Sequence, residues 1–178
     1  MTGRKASRGG AGLLVRGAHE DDLPRLDELL RECVEQMRAS GIDQWDDVYP
    51  NAATLRADLQ HRTLFVASAP GRPIAGQLVL DERQEPEYAA VPWKLADARV
   101  AVVHRLMVHP ALQRRGLARH MMRFAELRAR ALGYGAIRLD AFTGNAPSLK
   151  LYRGLGYDEV GGVRLRKGAF RCFEKGLA

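Results

Sequence analysis

The turn between a predicted strand and a predicted helix has the composition of an anion-binding site. Its sequence is Gln113-Arg114-Arg115-Gly116-Leu117-Ala118. The apolar stretch before it, at residues 100–108, predicts a strand that ends before Pro110, because proline cannot donate to a central sheet. The following helix leaves its first backbone N–H groups without intrahelical partners, and the small residues Gly116 and Ala118 would let a phosphate group approach them closely. The turn therefore predicts a phosphate-binding site.

Two common nucleotide-binding patterns do not occur in this sequence, neither G-x-x-x-x-G-K-[ST] nor G-x-G-x-x-G after a strand. The turn instead resembles the acyl-coenzyme A loop of the GCN5-related N-acetyltransferase (GNAT) family, which is written Q/R-x-x-G-x-G/A. Its position directly after a strand ending Leu-Met-Val-His-Pro, at residues 106–110, makes the resemblance specific. The resemblance implies that the N–H groups of this turn hold the pyrophosphate of the coenzyme.

A second segment, at residues 139–157, resembles another signature of the same family, N-x-x-A-x-x-L-Y-x-x-x-G-F. Asn145 and Tyr152 occupy the asparagine and tyrosine positions of that pattern. Ser148 stands where alanine is commoner and Tyr157 where phenylalanine is commoner, and both changes are mild. The two signatures lie at the separation typical of the family, and the resemblance covers residues 13–175.

Hydrophobic periodicity predicts the elements that must position these residues. The predicted strands lie at residues 13–18, 64–69, 74–80, 100–108, 136–142, 157–163 and 169–175, and the predicted helices at residues 20–40, 51–61, 117–132 and 148–155. The short crossover between the fourth and fifth strands predicts that they pair in parallel. A helical turn near Trp93 is expected in the long loop at residues 81–97. The order matches the family's α/β (α+β) fold, with a mixed central sheet of about seven strands, splayed between the fourth and fifth, and about four flanking helices.

The resemblance implies acetyl-coenzyme A as cosubstrate and no metal ion. The residues implied to bind it are Leu106, Met107, Val108, Gln113, Arg114, Arg115, Gly116, Leu117, Ala118, Arg119, Asn145 and Tyr152. In the family the pantetheine arm pairs with the central strand, here at residues 106–108, which places the Val108 N–H to polarise the thioester carbonyl. The arginines could add charge-assisted bonds to the phosphates or lie on a solvated surface. Asn145 could bind the pantetheine, cap a helix, or do both.

Tyr152 is the expected general acid, which gives a proton to the departing thiolate. It lies three residues after Leu149, so the two side chains share a helix face. Its hydroxyl would then point at the sulfur in the splayed gap. The alternative is a tyrosine that only packs the helix against the sheet.

His104 is the expected general base, because an imidazole titrates near neutrality. Strand alternation predicts that Val102, His104 and Leu106 share one face of the sheet. A histidine with a satisfied hydrogen bond is the alternative, and an amine that arrives neutral needs no strong base. Other candidates for the same role are Asp46, Asp47 and Tyr49.

The loop at residues 41–50 is rich in aromatic and acidic side chains. The family places the segment after its first helix over the thioester, which implies that this loop is a wall of the acceptor site. The residues expected to contact the acceptor are Gln44, Trp45, Asp47 and Tyr49. Trp45 and Tyr49 could instead cap the core. Acidic side chains at Asp43, Asp46 and Asp47 hint at a cationic amine such as a polyamine, an aminoglycoside or a basic peptide end.

Composition favours one globular domain. The chain has 178 residues, of which 46% are hydrophobic and 28% charged, enough for one core at residues 12–178 after a disordered basic tail at residues 1–11. Cys33 and Cys172 lie far apart and predict buried free thiols. No signal peptide and no apolar stretch of about 20 residues occurs, so we expect a soluble, cytoplasmic protein without a membrane partner.

The formal net charge of +7 suits either nucleic acid or a polyanionic cofactor. No run of five or more like charges occurs, so a nucleic-acid partner is the weaker interpretation. The leading hypothesis is an acetyl-coenzyme A-dependent N-acetyltransferase in which a primary amine of a small molecule or peptide attacks directly in a ternary complex. A non-catalytic acyl-coenzyme A binding or sensing module is the alternative. The protein is expected to be a monomer or, through the strand edges of its C-terminal hairpin, a homodimer.

Overall fold

A computed structural model describes residues 13–177, and the predicted tail at residues 1–11 lies outside this range. The strands of its single sheet are β1 Leu14–Gly17, β2 Leu64–Ala69, β3 Arg72–Asp81, β4 Val100–Val108, β5 Ala136–Phe142, β6 Asp158–Leu165 and β7 Gly168–Gly176. The helices of this range are α1 Leu23–Ala39, α2 Ala52–Gln60, α3 Leu117–Ala131 and α4 Ala146–Arg153. Across the sheet the order is β1-β2-β3-β4-β5-β7-β6. The predicted fold class is confirmed.

The sheet is antiparallel except where β4 and β5 meet. These two strands pair in parallel only from Val100 opposite Ala136 to Val102 opposite Arg138. Beyond that point β4 continues to Val108 beside β3, and β5 continues beside β7, but the two strands no longer pair with each other. The predicted parallel pairing and the predicted splay are therefore both confirmed.

The helices form one layer on each face of the sheet. α1 and α2 cover one face, and α1 buries residues there at helical spacing: Leu26, Leu29, Leu30, Cys33, Val34 and Met37. α3 and α4 cover the other face, where Leu117, Met121 and Tyr152 join the larger core. Each helix thus buries the apolar stripe that its sequence predicts. No helix among residues 13–177 is long and apolar enough to cross a membrane.

Local signals set several element ends as predicted. The Asn51 side chain accepts a hydrogen bond from the Thr54 N–H at 3.0 Å and caps α2. Gly133, at φ 80°, follows the end of α3. The helical turn expected near Trp93 instead spans Pro86–Ala90, because a proline suits the first turn of a helix. The Trp93 indole packs back on that turn and donates to a carbonyl there.

A bulge interrupts β4 at Arg105. Val79 of β3 lies opposite His104 and Gln77 lies opposite Met107, so two residues of β4 stand opposite one residue of β3. Arg105 adopts φ 49°, in the left-handed region. A bulge of this kind bends the strand and changes the direction in which the following side chains point.

The bulge overturns the predicted alternation along β4. Val102 packs with the loop that precedes the strand, whereas Leu106 packs on the opposite face with the α3 layer, beside Val108. The prediction that Val102, His104 and Leu106 share one face is therefore wrong. An inserted residue inverts the two-residue period of a strand, and local sequence did not reveal the insertion.

Candidate functional site

The turn before α3 presents a row of unpaired backbone N–H groups. No backbone carbonyl among residues 13–177 accepts a hydrogen bond from the N–H groups of residues 114–119. Arg114 at φ 59° and Gly116 at φ 88° give this turn left-handed backbone angles, and such turns form anion-binding concavities. No heavy atom lies within 4 Å of the position that a Gly116 Cβ would occupy. The turn is open and chemically suited to a phosphate group.

Basic side chains surround the turn on its cavity side. Arg114, Arg119 and Lys150 line a cavity of about 1010 Å³ beside it. Arg119 Nη1 also donates to the Gly154 carbonyl at 3.0 Å, which holds its guanidinium between α3 and α4. Positive charge that is fixed beside unpaired N–H groups would strengthen the binding of an anion.

The other predicted residues of the turn have separate places. Gln113 Nε2 donates to the Val108 carbonyl at 3.2 Å and ties the turn to the end of β4. Gln113 and Ala118 line the cavity, while Arg115 is exposed and does not. The Leu117 side chain is buried in the core, so Leu117 can meet a ligand only through its backbone.

The cavity extends into the gap between β4 and β5. Residues 103–108 of β4 line it on one side, and Asp140 and Ala141 of β5 line it on the other. The His109 N–H donates a hydrogen bond to the Ala75 carbonyl of β3. Residues of an antiparallel strand alternate in the direction of their backbone groups, so the N–H and C=O of Val108 point away from β3. Val108 therefore directs its backbone groups toward the gap, where β5 no longer pairs with β4.

Tyr152 of α4 faces this gap from within the core. Its side chain lines the cavity although the residue is only 7% exposed. Its ring packs against Tyr157 and Phe173, and no hydrogen bond of the described chain involves its hydroxyl. Burial, followed by the nearby Asp140 carboxylate, raises the pKa of Tyr152 above its ordinary value. Tyr152 is therefore a buried, protonated O–H donor with no partner among the described residues.

Asp140 is a cavity residue that the sequence analysis missed. Its Oδ2 accepts a hydrogen bond from the Tyr88 hydroxyl at 2.8 Å. Burial raises the pKa of the Asp140 carboxyl, and the hydrogen bond from Tyr88 opposes this effect in part. Asp140 is half-buried, and a cavity-lining acid with a raised pKa is a candidate catalytic group. The available signal was an acidic residue within the apolar run of β5, at the carboxyl end of a strand paired in parallel.

His104 lines the cavity but is held by other side chains. Its Nε2 lies 3.1 Å from Asp81 Oδ1 and 3.1 Å from the Arg83 carbonyl. Burial would raise the pKa of Asp81, but hydrogen bonds from His104 and Arg83 lower it to about 2. The described chain engages one ring nitrogen of His104 in these contacts and leaves Nδ1 available to a ligand.

The loop at residues 41–50 forms a wall of the cavity, and three of its four predicted acceptor residues line it: Gln44, Trp45 and Tyr49. Asn145 caps α4 by accepting from the Ser148 N–H, and its Nδ2 donates to Gln44 Oε1 at 2.8 Å. The asparagine of the second signature therefore connects α4 to this loop. Its place as a helix cap matches one of the two predicted roles.

The acidic side chains of the same loop are engaged in ion pairs. Asp46 contacts both Arg166 and Lys167 of the turn between β6 and β7, and Asp43 contacts Lys167. The Arg166 hydrogen bond is the largest cause that lowers the pKa of Asp46. Asp47 pairs with Arg38, is 92% exposed at its side chain, and does not line the cavity. The structure thus leaves these acids without free charge toward an acceptor.

Within residues 13–177, no group of three or more His, Cys, Asp or Glu side chains is placed to hold a metal ion. Cys33 and Cys172 are buried free thiols, as predicted.

The fold and the site together define the acetyltransferase class: a mixed sheet, splayed in its middle, beside a turn of bare amides. Residues 24–157 match the model of the Acetyltransferase (GNAT) family, and the chain belongs to this family.

Solved structures show the same fold. An acetyltransferase of the GNAT family from Streptococcus agalactiae superposes with a TM-score of 0.82 at 22% identity, over 94% of this chain and 97% of that one. The protein yncA from Salmonella typhimurium, solved with its cofactor acetyl-coenzyme A, superposes with a TM-score of 0.70 at 18% identity, over 94% of this chain and 95% of that one. The ribosomal-protein-S18-alanine N-acetyltransferase from Escherichia coli superposes with a TM-score of 0.69 at 15% identity, over 94% of this chain and 95% of that one. No curated protein matches the sequence.

Proposed function

We propose that this protein is an acetyl-coenzyme A-dependent N-acetyltransferase, which moves an acetyl group to a primary amine by direct attack in a ternary complex. One observation carries the proposal: a single cavity connects the bare amide turn at Gly116 with the unpartnered hydroxyl of Tyr152. The turn suits a diphosphate, and Tyr152 offers a proton donor elsewhere in the same cavity. Membership of the GNAT family supports this assignment.

The residues around the turn fit the coenzyme. The N–H groups of residues 114–119 have no backbone partner in the described chain and would donate hydrogen bonds to phosphate oxygens. Arg114, Arg119 and Lys150 would add positive charge there. Residues 106–108 form the edge of the gap along which an amide-rich pantetheine arm would pair. Asn145 lies at the start of α4 on the same cavity and would contact that arm through its remaining hydrogen-bonding capacity.

Acetyl-coenzyme A supplies an activated acyl thioester when it is bound. The Val108 N–H would donate a hydrogen bond to the carbonyl oxygen, where negative charge develops as the amine attacks. Tyr152 keeps its proton at neutral pH, because burial raises its pKa, and it would give that proton to the departing thiolate. These two donors, one on β4 and one on α4, face the same gap.

The amine must lose a proton, and two groups of the cavity are placed to accept it. Asp140 has a raised pKa and lies near Tyr152 in the buried part of the gap. His104 has Nδ1 available while Asp81 holds Nε2. We propose Asp140 as the base because it is half-buried in the gap near Tyr152 and has a free Oδ1. His104 is the second candidate.

A covalent route through a cysteine is disfavoured by the state of Cys33. Its thiol lines the cavity, but burial, with the Glu32 carboxylate, raises its pKa to about 12. A protonated thiol is a poor nucleophile, so direct attack by the amine is the simpler route.

Calorimetry and a thiol-release assay test the proposal together. The full chain should bind acetyl-coenzyme A and should release free coenzyme A when a primary amine is added. Failure to bind acetyl-coenzyme A at high micromolar concentration would end the proposal. Binding without amine-dependent release across a broad amine panel would favour the non-catalytic sensing module instead.

A further inference from the structure

Two acidic side chains at the mouth of the cavity have no partner in the described chain. Glu85 and Glu87 lie on the loop between β3 and β4, at the helical turn Pro86–Ala90, and both line the cavity. Both residues are exposed. Their carboxylates form no ion pair or hydrogen bond within residues 13–177, so this wall of the cavity carries uncompensated negative charge.

Nearby positive charges do not neutralise these two acids, because other carboxylates already compensate them. Arg105 Nη2 lies 2.7 Å and Arg83 Nη2 3.0 Å from Asp58 Oδ1. Arg83 also donates to Asp81 Oδ2 at 2.6 Å. The positive charges of Arg83 and Arg105 are thus balanced by the carboxylates of Asp58 and Asp81. The charges of Glu85 and Glu87 therefore stay uncompensated.

The basic residues at the turn between β6 and β7 are compensated as well. Arg166 and Lys167 line the cavity but pair with Asp46 and Asp43. The acids of the loop at residues 41–50, which hinted at a cationic amine, are therefore neutralised. Apart from Asp140 in the gap, the uncompensated negative charge that an acceptor would meet comes from Glu85 and Glu87.

The opposite end of the cavity is positive. Arg114, Arg119 and Lys150 lie beside the amide turn and have no carboxylate partner among the described residues. The two acids lie on the loop before β4, and the basic side chains lie beside the turn that follows β4. A cavity with opposite charge at its two ends orients its ligands, with the polyanionic coenzyme at one end and a cation at the other.

A second, independent observation marks the position where the reacting group binds. Tyr152 is 7% exposed, lines the cavity, and has no hydrogen-bond partner for its hydroxyl among the described residues. Its hydroxyl oxygen is not one of the sealed, unpartnered side-chain atoms of the described core, so it is open to the cavity and can hydrogen-bond a ligand there. Met37, Ile42 and Trp45 give the same cavity an apolar wall.

We infer that the acceptor is a small aliphatic amine with a second positive charge, whose distal cation binds Glu85 and Glu87 while its reacting amine reaches Tyr152 and Asp140. This inference rests on the proposed function. The apolar wall suits an alkyl spacer, and the exposed acids suit a cation that stays partly hydrated. A monoamine of the same length would lack the distal contact.

Binding measured by calorimetry tests the inference, with the full chain saturated by coenzyme A. The probes are matched pairs, diaminobutane against butylamine and diaminooctane against octylamine. At one chain length at least, the diamine should bind about tenfold more tightly, since two exposed ion pairs each contribute a modest factor. Glu85→Gln and Glu87→Gln should each weaken diamine binding about two- to fivefold and leave monoamine binding unchanged. This preference should fall as salt is added.

Glu35→Gln is the matched control, because Glu35 is an exposed acid on α1 that does not line the cavity. It should leave the preference intact. Equal binding of diamines and monoamines at every length, or a preference that survives the double variant of Glu85 and Glu87, overturns the inference. Acetyl transfer to amines without a charge preference would leave the proposed function standing. A diamine preference without any transfer would instead support the binding site and refute the enzyme.

Discussion

Arg105 donates two hydrogen bonds to Asp58, with Nε 3.0 Å from Oδ2 and Nη2 2.7 Å from Oδ1. Both side chains are buried, at 8% and 1% exposure. Arg105 is the bulged residue of β4, and its Nη1 donates to the Tyr49 hydroxyl at 2.5 Å. One carboxylate of α2 therefore fixes the bulge of β4 and, through Tyr49, a wall of the cavity.

Removing the Asp58 charge should destabilise the fold strongly. Asp58→Asn leaves the buried guanidinium of Arg105 without a counter-charge, and breaking a buried pair in this way costs about 3–5 kcal/mol. Urea denaturation at neutral pH measures the loss. Asp27→Asn is the control, because Asp27 pairs with Arg31 on the exposed side of α1 and should change stability by less than about 0.5 kcal/mol. Similar effects in the two variants would refute the role given to the Asp58 pair.

Tyr152→Phe should separate catalysis from coenzyme binding. Phenylalanine keeps the ring that packs against Tyr157 and Phe173 but removes the proton donor, so kcat should fall about a hundredfold or more. The calorimetric Kd for acetyl-coenzyme A should stay within about twofold, because the proposed phosphate site lies at the turn before α3 and not at Tyr152. Tyr134→Phe removes a hydroxyl that bonds to Glu82 outside the cavity and should keep full activity. An unchanged kcat in Tyr152→Phe would exclude Tyr152 as the acid.

Gly116→Ala should weaken coenzyme binding through the backbone alone. The added Cβ meets open space, but the residue sits at φ 88°, and an L-residue in the left-handed region costs about 1–2 kcal/mol. If the backbone relaxes to relieve that strain, the N–H groups of the turn change direction and no longer converge on one phosphate. The Kd for acetyl-coenzyme A should therefore rise about tenfold. Gly71→Ala is a matched control, at φ 75° and also in open space, on the turn between β2 and β3. It should lose similar stability and keep the same Kd.

Asp140→Asn should abolish the acidic limb of the pH–rate profile. A base must be unprotonated, so kcat/KM of the natural sequence should fall as pH drops through the raised pKa of Asp140. The variant should lose about a hundredfold in kcat and should lose this limb. If the limb persists in Asp140→Asn and vanishes in His104→Gln, then His104 is the base.

Asp140→Asn should gain stability relative to the natural sequence as pH rises through the raised pKa of Asp140. The pKa of Asp140 is higher in the folded protein than the ordinary 3.8, so the folded state binds more protons than the unfolded state between these values. Stability therefore falls as pH rises through this window, and the full penalty applies above it. Chemical denaturation at pH values below and above this window should show that the free energy of unfolding of Asp140→Asn rises relative to that of the natural sequence as pH increases. A constant difference would refute the raised pKa.

Neither cysteine should react in the folded protein. Burial raises the pKa of both Cys33 and Cys172 to about 12, and the thiolate is the reactive form. Mass spectrometry after iodoacetamide treatment should find no label on the native chain and two labels in guanidinium. Rapid native labelling of Cys33 would instead indicate an activated thiol in the cavity and would reopen the covalent route.

Local sequence predicted the elements of this fold and the turn of bare amides before α3. Strand β4 and strand β5 begin and end at the predicted residues, because apolar runs bounded by Pro110 and Gly133 leave little choice of limits. The amides before α3 are bare because a helix start cannot satisfy its own first N–H groups. Interactions within a few residues are enough for features of this kind.

Charge pairing and side-chain direction were decided by the tertiary structure. The acids of the loop at residues 41–50 looked free in sequence, yet Asp46 meets Arg166 from 120 positions away. Asp140 became a cavity-lining acid near Tyr152 only because β4 and β5 separate after Val102. The bulge at Arg105, held by Asp58 from 47 positions away, reversed the predicted faces of β4. Sequence determined which groups this protein has, whereas the folded chain decided which of them stay unpaired, because pairing depends on distances between residues remote in sequence.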